Sequence, residues 1–112
     1  MNKFGAKKTE LAGIVFDSKA EARRYGQLMI LERSGAIAGL TRQVPFVLAN
    51  KVKFAQAKRA KPAMKYIADF VYTDTATGKI VVEDVKGVST ALWQAKRHWM
   101  MDKLGIDVKV VS

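Results

Sequence analysis

Apolar and polar residues recur with different periods along the chain, and the changes of period mark its elements. Gly13-Ile14-Val15-Phe16 is a short apolar lead-in that ends at Asp17-Ser18. Ser18-Lys19-Ala20-Glu21 fits a capping box, in which the serine hydroxyl takes a free backbone N–H and the glutamate reaches back, so a helix is expected from Lys19. Ala22, Tyr25, Met29 and Leu31 carry it to a stop at Ser34-Gly35, with Arg23, Arg24, Glu32 and Arg33 on its other faces. From Gln43 to Phe54 the residues turn β-type, which predicts a strand and its turn. Lys51, Lys53, Lys58, Arg59 and Lys61 then crowd a stretch ending at Pro62, an exposed hairpin loop rich in positive charge.

Tyr66-Ile67-Ala68-Asp69-Phe70-Val71-Tyr72 reads as a strand, and Thr73 to Gly78 as the kind of turn that joins antiparallel neighbours. The next strand runs from Lys79 to Val85 and stops at Lys86-Gly87. Ser89 or Thr90 can cap a second helix running to about Leu104, and Ile106 to Val111 closes the chain as a strand. The order is α-β-β-β-α-β without internal repeats, in one α+β (α/β) domain over residues 13–112 preceded by a basic, flexible arm over residues 1–12. At 112 residues the chain has room for one modest core and no second domain.

Composition narrows the chemistry. The absence of cysteine excludes disulfides, thiolate zinc sites and a cysteine nucleophile, and the single histidine, His98, builds no histidine-rich metal site alone. No apolar run approaches the roughly 20 residues that cross a bilayer, and Met1 to Lys8 lacks the apolar stretch of a signal peptide, so a cytoplasmic location is expected and no membrane partner. Lysine and arginine outnumber the acids 20 to 10, a net charge of +10 that attracts polyanions. Nucleic acid is favoured over a membrane surface or an acidic protein.

Val81-Val82-Glu83-Asp84-Val85-Lys86-Gly87 carries the candidate chemistry, because a strand expected to be buried holds two carboxylates and a lysine near its end. Side chains alternate across a strand, so Asp84 and Lys86 share one face and Glu83 points to the other. Alone, Asp-x-Lys is equally a strand-end salt bridge. Asp69, within an apolar strand expected alongside, changes the weighing. Two facing carboxylates repel unless a cation bridges them, and two carboxylates with a backbone carbonyl are the hard oxygen donors that Mg2+ or Mn2+ prefers. Lys86 is then placed to orient an attacking water and to offset charge developing on a phosphoryl group.

These residues resemble the PD-(D/E)XK nuclease superfamily, and within it a family of short phage-encoded proteins first catalogued as a domain of unknown function. The resemblance runs from about Gly13 to Val111. It is carried by Gly13-Ile14-Val15-Phe16-Asp17-Ser18 with Glu21-Ala22-Arg23-Arg24-Tyr25, by Tyr66-Ile67-Ala68-Asp69-Phe70, and by Val82-Glu83-Asp84-Val85-Lys86-Gly87. It implies a restriction-endonuclease-like αβββαβ core, a mixed sheet flanked by helices, with Asp69 as the metal-binding aspartate, Asp84 as the acidic member of the terminal motif and Lys86 as its lysine. Val85 stands between them as the source of the carbonyl ligand, and Glu21 is the acidic residue that many members carry on the first helix. Ala68 stands where the superfamily name has proline. Glu83 is the other candidate for the acidic position, but three residues from Lys86 it would not share a strand face with it.

The activity so implied is a Mg2+- or Mn2+-dependent endodeoxyribonuclease that hydrolyses phosphodiesters with metal-activated water, structure-specific for branched DNA or Holliday junctions in phage or mobile-element recombination. It would work in the host cytoplasm, and a homodimer is compatible with it. Lys53, Lys58, Arg59, Lys61, Lys96 and Arg97 are its candidate DNA contacts, and Gln94 and Lys96 candidate auxiliaries near the scissile phosphate. Glu21 reads equally as the partner in a capping box; Arg23 and Arg24 read as phosphate contacts or as a solvated helix face, Trp93, Trp99 and Met100 as packing residues in preference to base-stacking ones, and His98 as surface or packing. The rivals are a non-catalytic basic nucleic-acid-binding protein on the same fold, and a structural or partner-binding protein whose Asp-x-Lys is a salt bridge.

Overall fold

The computed structural model describes residues 8–112, so most of the expected N-terminal arm lies outside the described residues. Eight elements follow in order: β1 (Thr9–Leu11), β2 (Ile14–Phe16), α1 (Lys19–Ser34), β3 (Ile37–Ala49), β4 (Met64–Asp74), β5 (Ile80–Val85), α2 (Ala91–Leu104) and β6 (Lys109–Val111). The expected α-β-β-β-α-β order is present from α1 onward. Ahead of it, Thr9–Leu11 departs from the expected arm: it pairs antiparallel with Ile14–Phe16 through a turn in which Ala12 and Gly13 both take positive φ.

Both helices start and stop on local chemistry. The Ser18 hydroxyl accepts the N–H of Glu21 at 3.1 Å and the Thr90 hydroxyl that of Trp93 at 3.1 Å, and Gly35 and Gly105 end the helices in the left-handed region. The strand expected from Gln43 in fact begins at Ile37 and ends at Ala49. Its first turn of residues hides in the sequence because Gly39 has φ 68° and the register shifts between Ala38 and Thr41, which breaks the alternating pattern.

Four strands form a mixed sheet in the order β3-β4-β5-β6. The pairs β3–β4 and β4–β5 are antiparallel, and β5–β6 is parallel, joined by α2 as the crossover that a parallel pair requires. One core layer holds Phe16, Ala22, Leu28, Ile37, Phe70 and Tyr72 beneath α1; the other holds Leu48, Tyr66, Ala68, Val82, Met100 and Val108 beneath α2.

Strand β4 therefore changes faces. Strict alternation would keep Tyr66, Ala68, Phe70 and Tyr72 on one side, yet the first two pack with α2 and the last two with α1. The switch falls at Asp69. Across the ladder, the pairs Arg42↔Phe70 and Val44↔Ala68 bracket Gln43, whose φ is 51°. The kink in β3 at Gln43 and the change of faces in β4 fall at the same step.

Candidate functional site

The kink positions the carboxylates. Strand β5 pairs with β4 only as far as Glu83 opposite Phe70, and beyond that step side chains take over the ladder. The Asp69 N–H donates to Asp84 Oδ1 at 2.9 Å, and the Val85 N–H donates to Asp69 Oδ2 at 2.9 Å. Each aspartate thus accepts a backbone N–H from the opposite strand where the strands part. Burial costs of backbone donors explain the exchange: two N–H groups that lost their ladder partners are satisfied by carboxylates instead.

Asp84 is 2 % exposed and well held. Its Oδ2 accepts a hydrogen bond from the Tyr66 hydroxyl and another from Trp93 Nε1 at 3.0 Å, while Trp93 also donates to the Tyr66 oxygen at 3.0 Å. Burial first, then the Asp84 carboxylate, pushes the Tyr66 pKa up, so Tyr66 remains a donor. Glu21, 7 % exposed on the first turn of α1, turns its carboxylate inward: Gln43 Nε2 lies 3.4 Å from Glu21 Oε2 and 3.3 Å from Asp69 Oδ1. Three acids from three elements are therefore linked, Glu21 to Asp69 through Gln43 and Asp69 to Asp84 through the backbone.

Their charge is in excess. Burial first, then the neighbouring charges of Asp84 and Glu21, together push the Asp69 pKa from 3.8 up to about 7 against the opposing Val85 N–H. Burial likewise raises Glu21, with Asp17 and Asp84 adding to it and Arg42, 3.6 Å away, opposing. Arg42 itself lies 4.4 Å above the Phe16 ring, and among the described residues its Nε–H has no partner.

Lys86, one residue past the end of β5, lines the same groove as Asp84, but it does not neutralise that carboxylate. Its Nζ stands 5.4 Å over the Trp93 ring, and among the described residues the ion pairs are Arg24–Glu83 and Arg42–Glu21. Lys65, Asp69, Asp84, Lys86 and Lys96 line one open groove of about 250 Å³ between β4 and the start of α2. Glu83 points to the opposite face, fully buried, where Arg24 donates from Nε at 2.5 Å and from Nη2 at 2.9 Å and the Tyr72 hydroxyl donates at 2.6 Å. Burial alone would raise the Glu83 pKa; the bonds from Arg24 and Tyr72 outweigh it and hold it low. Arg24 is thus half-buried as the ion-pair partner of buried Glu83, and not the solvated face residue its sequence suggests.

Other candidates lie apart from the groove. Lys53, Lys58, Arg59 and Lys61 are exposed on the β3–β4 loop. Arg97 donates to the Val108 carbonyl at 3.1 Å and Gln94 to the Ser89 hydroxyl at 2.9 Å, and both line a separate cavity of about 480 Å³ beyond Trp93. Gln43, Tyr66 and Trp93 are the participants that sequence reasoning missed. The two aromatics carried a signal, a polar tip that needs a partner when buried; Gln43 carried none, because its role comes from the kink.

The donor set suits a hard divalent cation. Among the described residues no three acidic or histidine side chains are grouped so as to hold a metal ion as they stand, and Gln43 Nε2 bridges Glu21 and Asp69. Capacity remains nonetheless: Asp84 Oδ1 and both Asp69 oxygens each accept one hydrogen bond and keep a lone pair. A cation replacing Gln43 would meet oxygen donors only.

The family model described as "Protein of unknown function (DUF1064)" matches residues 1–111. No curated protein and no solved structure matches the chain. Among the described residues no helix is long and apolar enough to cross a membrane.

Proposed function

The chain belongs to DUF1064, a family of proteins of unknown function, and we propose that it is a divalent-metal-dependent phosphodiesterase acting on DNA, of the PD-(D/E)XK kind. The observation that carries this reading is the paired insertion of Asp69 and Asp84 into the parted β4–β5 ladder, with Lys86 lining the same groove. A salt-bridge role for Asp84 is disfavoured by Lys86 standing over Trp93 instead.

Asp69 and Asp84, with Glu21 and the Val85 carbonyl, are the groups that would hold Mg2+ or Mn2+. When bound, the cation supplies Lewis-acid polarisation of a phosphoryl oxygen and a water of lowered pKa. The chain's own residues do the rest. Tyr66 and Trp93 lock the Asp84 rotamer, so the carboxylate is presented without reorganisation. Lys86 brings a positive charge to the reacting phosphate, and Lys65 and Lys96 flank it as backbone contacts. Among the described residues the groove is one short pocket and not an extended base-reading surface, which favours DNA chosen by structure, a branch or junction, over DNA chosen by sequence.

The test is incubation of the protein with labelled linear, flap and four-way-junction DNAs, with and without Mg2+. Metal-dependent cutting of at least one DNA is expected, and the absence of cutting in Mg2+ and in Mn2+ overturns the reading. A second reading, a basic DNA-binding protein that does not cut, is favoured by one observation: Gln43 holds Glu21 and Asp69 as a cation would. It predicts tight DNA binding with no heat of Mn2+ binding.

A further inference from the structure

The β3–β4 loop is a folded tip. The Val52 N–H donates to the Lys61 carbonyl at 3.1 Å, Lys61 returns a bond at 2.6 Å, and the Ala57 N–H closes a turn on Phe54 at 3.0 Å. Held on this turn, Phe54 is 61 % exposed, a large apolar side chain where burial against the protein was available to others. Lys51, Lys53, Lys58, Arg59 and Lys61 flank it in sequence, all exposed, and no acid occurs anywhere between Glu32 and Asp69. Lys65 continues the positive charge along β4 to the groove, where Lys86 and Lys96 stand. The molecule is elongated accordingly, 54 × 35 × 23 Å, with a radius of gyration of 16.1 Å where a compact chain of this length has about 13 Å.

We propose that this tip is a second DNA contact, in which the lysines and Arg59 hold phosphates and Phe54 stacks on an unpaired or splayed base. A linear track of cations suits a polyanion, and the exposed ring suits the one polyanion that carries flat apolar faces between its charges. An anionic lipid surface matches the charge and the ring but gives no reason for the track to run on to an acidic groove. The reach is set by the strand. Taken as extended throughout, the chain from Lys61 to Asp69 spans at most about 26 Å at about 3.3 Å per residue, which is up to about eight base pairs at about 3.4 Å each. The tip therefore touches DNA up to about eight base pairs from the phosphate over Asp69 and Asp84. Phe54 makes the contact selective: a continuous duplex hides its base faces, whereas a fork or branch presents them.

The proposal rests on the nuclease reading only for which phosphate reacts, and its test needs no hydrolysis by the protein. Because the chain has no cysteine, Gln56→Cys at the tip and Leu92→Cys at the groove rim each accept a single tethered iron chelate. Hydroxyl-radical cuts on forked DNA are expected at two centres up to about eight base pairs apart. Cuts from the tip probe no stronger than from free chelate, or centred within about three base pairs of the groove probe, overturn the proposal. In parallel, Phe54→Ala is expected to weaken binding to forked DNA about tenfold, the effect of losing one base–aromatic stack, with continuous duplex unaffected and Phe54→Trp restoring the fork. Equal affinities across these variants, or Phe54-dependent binding to phosphatidylserine vesicles without tip cuts on DNA, also overturn it. The probes cut whether or not the protein does, so failure here leaves the proposed chemistry intact, and failure of that chemistry leaves this contact standing.

Discussion

Asp69 sits where negative charge is in excess, and the excess is measurable. Its pKa in the folded protein stands at about 7 against an ordinary 3.8, so the folded state binds the proton more tightly than the unfolded state. The sign follows: this group favours the fold most below its ordinary pKa, and that contribution is lost as pH rises through the interval up to about 7. Melting curves in chelator should therefore show a stability decline over that interval that Asp69→Asn removes, and an unchanged decline in the variant would clear Asp69 of the effect. Lys86→Ala tests the chemistry itself. Cleavage should fall by about a hundredfold or more while DNA affinity, supplied by the wider positive surface, barely changes. A folded Lys86→Ala protein that cuts at the wild-type rate would remove Lys86 from the mechanism.

Between elements, the ion pair that ties α1 to β5 lies on the opposite face of β5 from Asp84. Arg24 on α1 grips Glu83 on β5, and Glu21 and Asp84 sit on the same two elements, so this pair sets how helix and strand present their acids. Arg24→Ala would leave Glu83, 0 % exposed, with the Tyr72 hydroxyl as its remaining close donor. A loss of about 3–5 kcal/mol is expected in denaturant unfolding, the usual consequence of orphaning one member of a buried pair. Pairing Arg24→Met with Glu83→Gln, which keeps an acceptor for Tyr72, should recover most of it. A loss below about 1 kcal/mol for Arg24→Ala would mean that water reaches Glu83 and that the clamp is slack.

For the molecule as a whole, the question is whether a cation belongs in an otherwise basic protein. With a net charge of +10, general electrostatics repel Mg2+ and Mn2+, so any binding must come from the local cluster of Glu21, Asp69 and Asp84. Millimolar-scale Mn2+ should raise the melting temperature of the wild type, and Asp69→Asn should lose that gain while being as stable as wild type without metal. If Asp69 and Asp84 serve only as internal hydrogen-bond acceptors, the variant is less stable and Mn2+ shifts neither protein.

The order of helices and strands from α1 onward, the caps at Ser18 and Thr90, the antiparallel β4–β5 pair and the nearness of Lys86 to Asp84 were legible from period and spacing, because each depends on residues close in sequence. The sequence also determined which groups were available for chemistry: acids, lysines and a single histidine, with no cysteine. Tertiary structure alone decided where those groups went. Simple alternation did not foresee the change of faces at Asp69, since it falls opposite Gln43, whose positive φ no local pattern announces. Nor did the capping box show that Glu21 faces inward, or the polar face of α1 that Arg24 ends on Glu83, since both results depend on the sheet that α1 packs against. Periodicity says which residues can lie on a common face; which charges then meet is decided by the burial that removes water from between them, and that exists only in the folded chain.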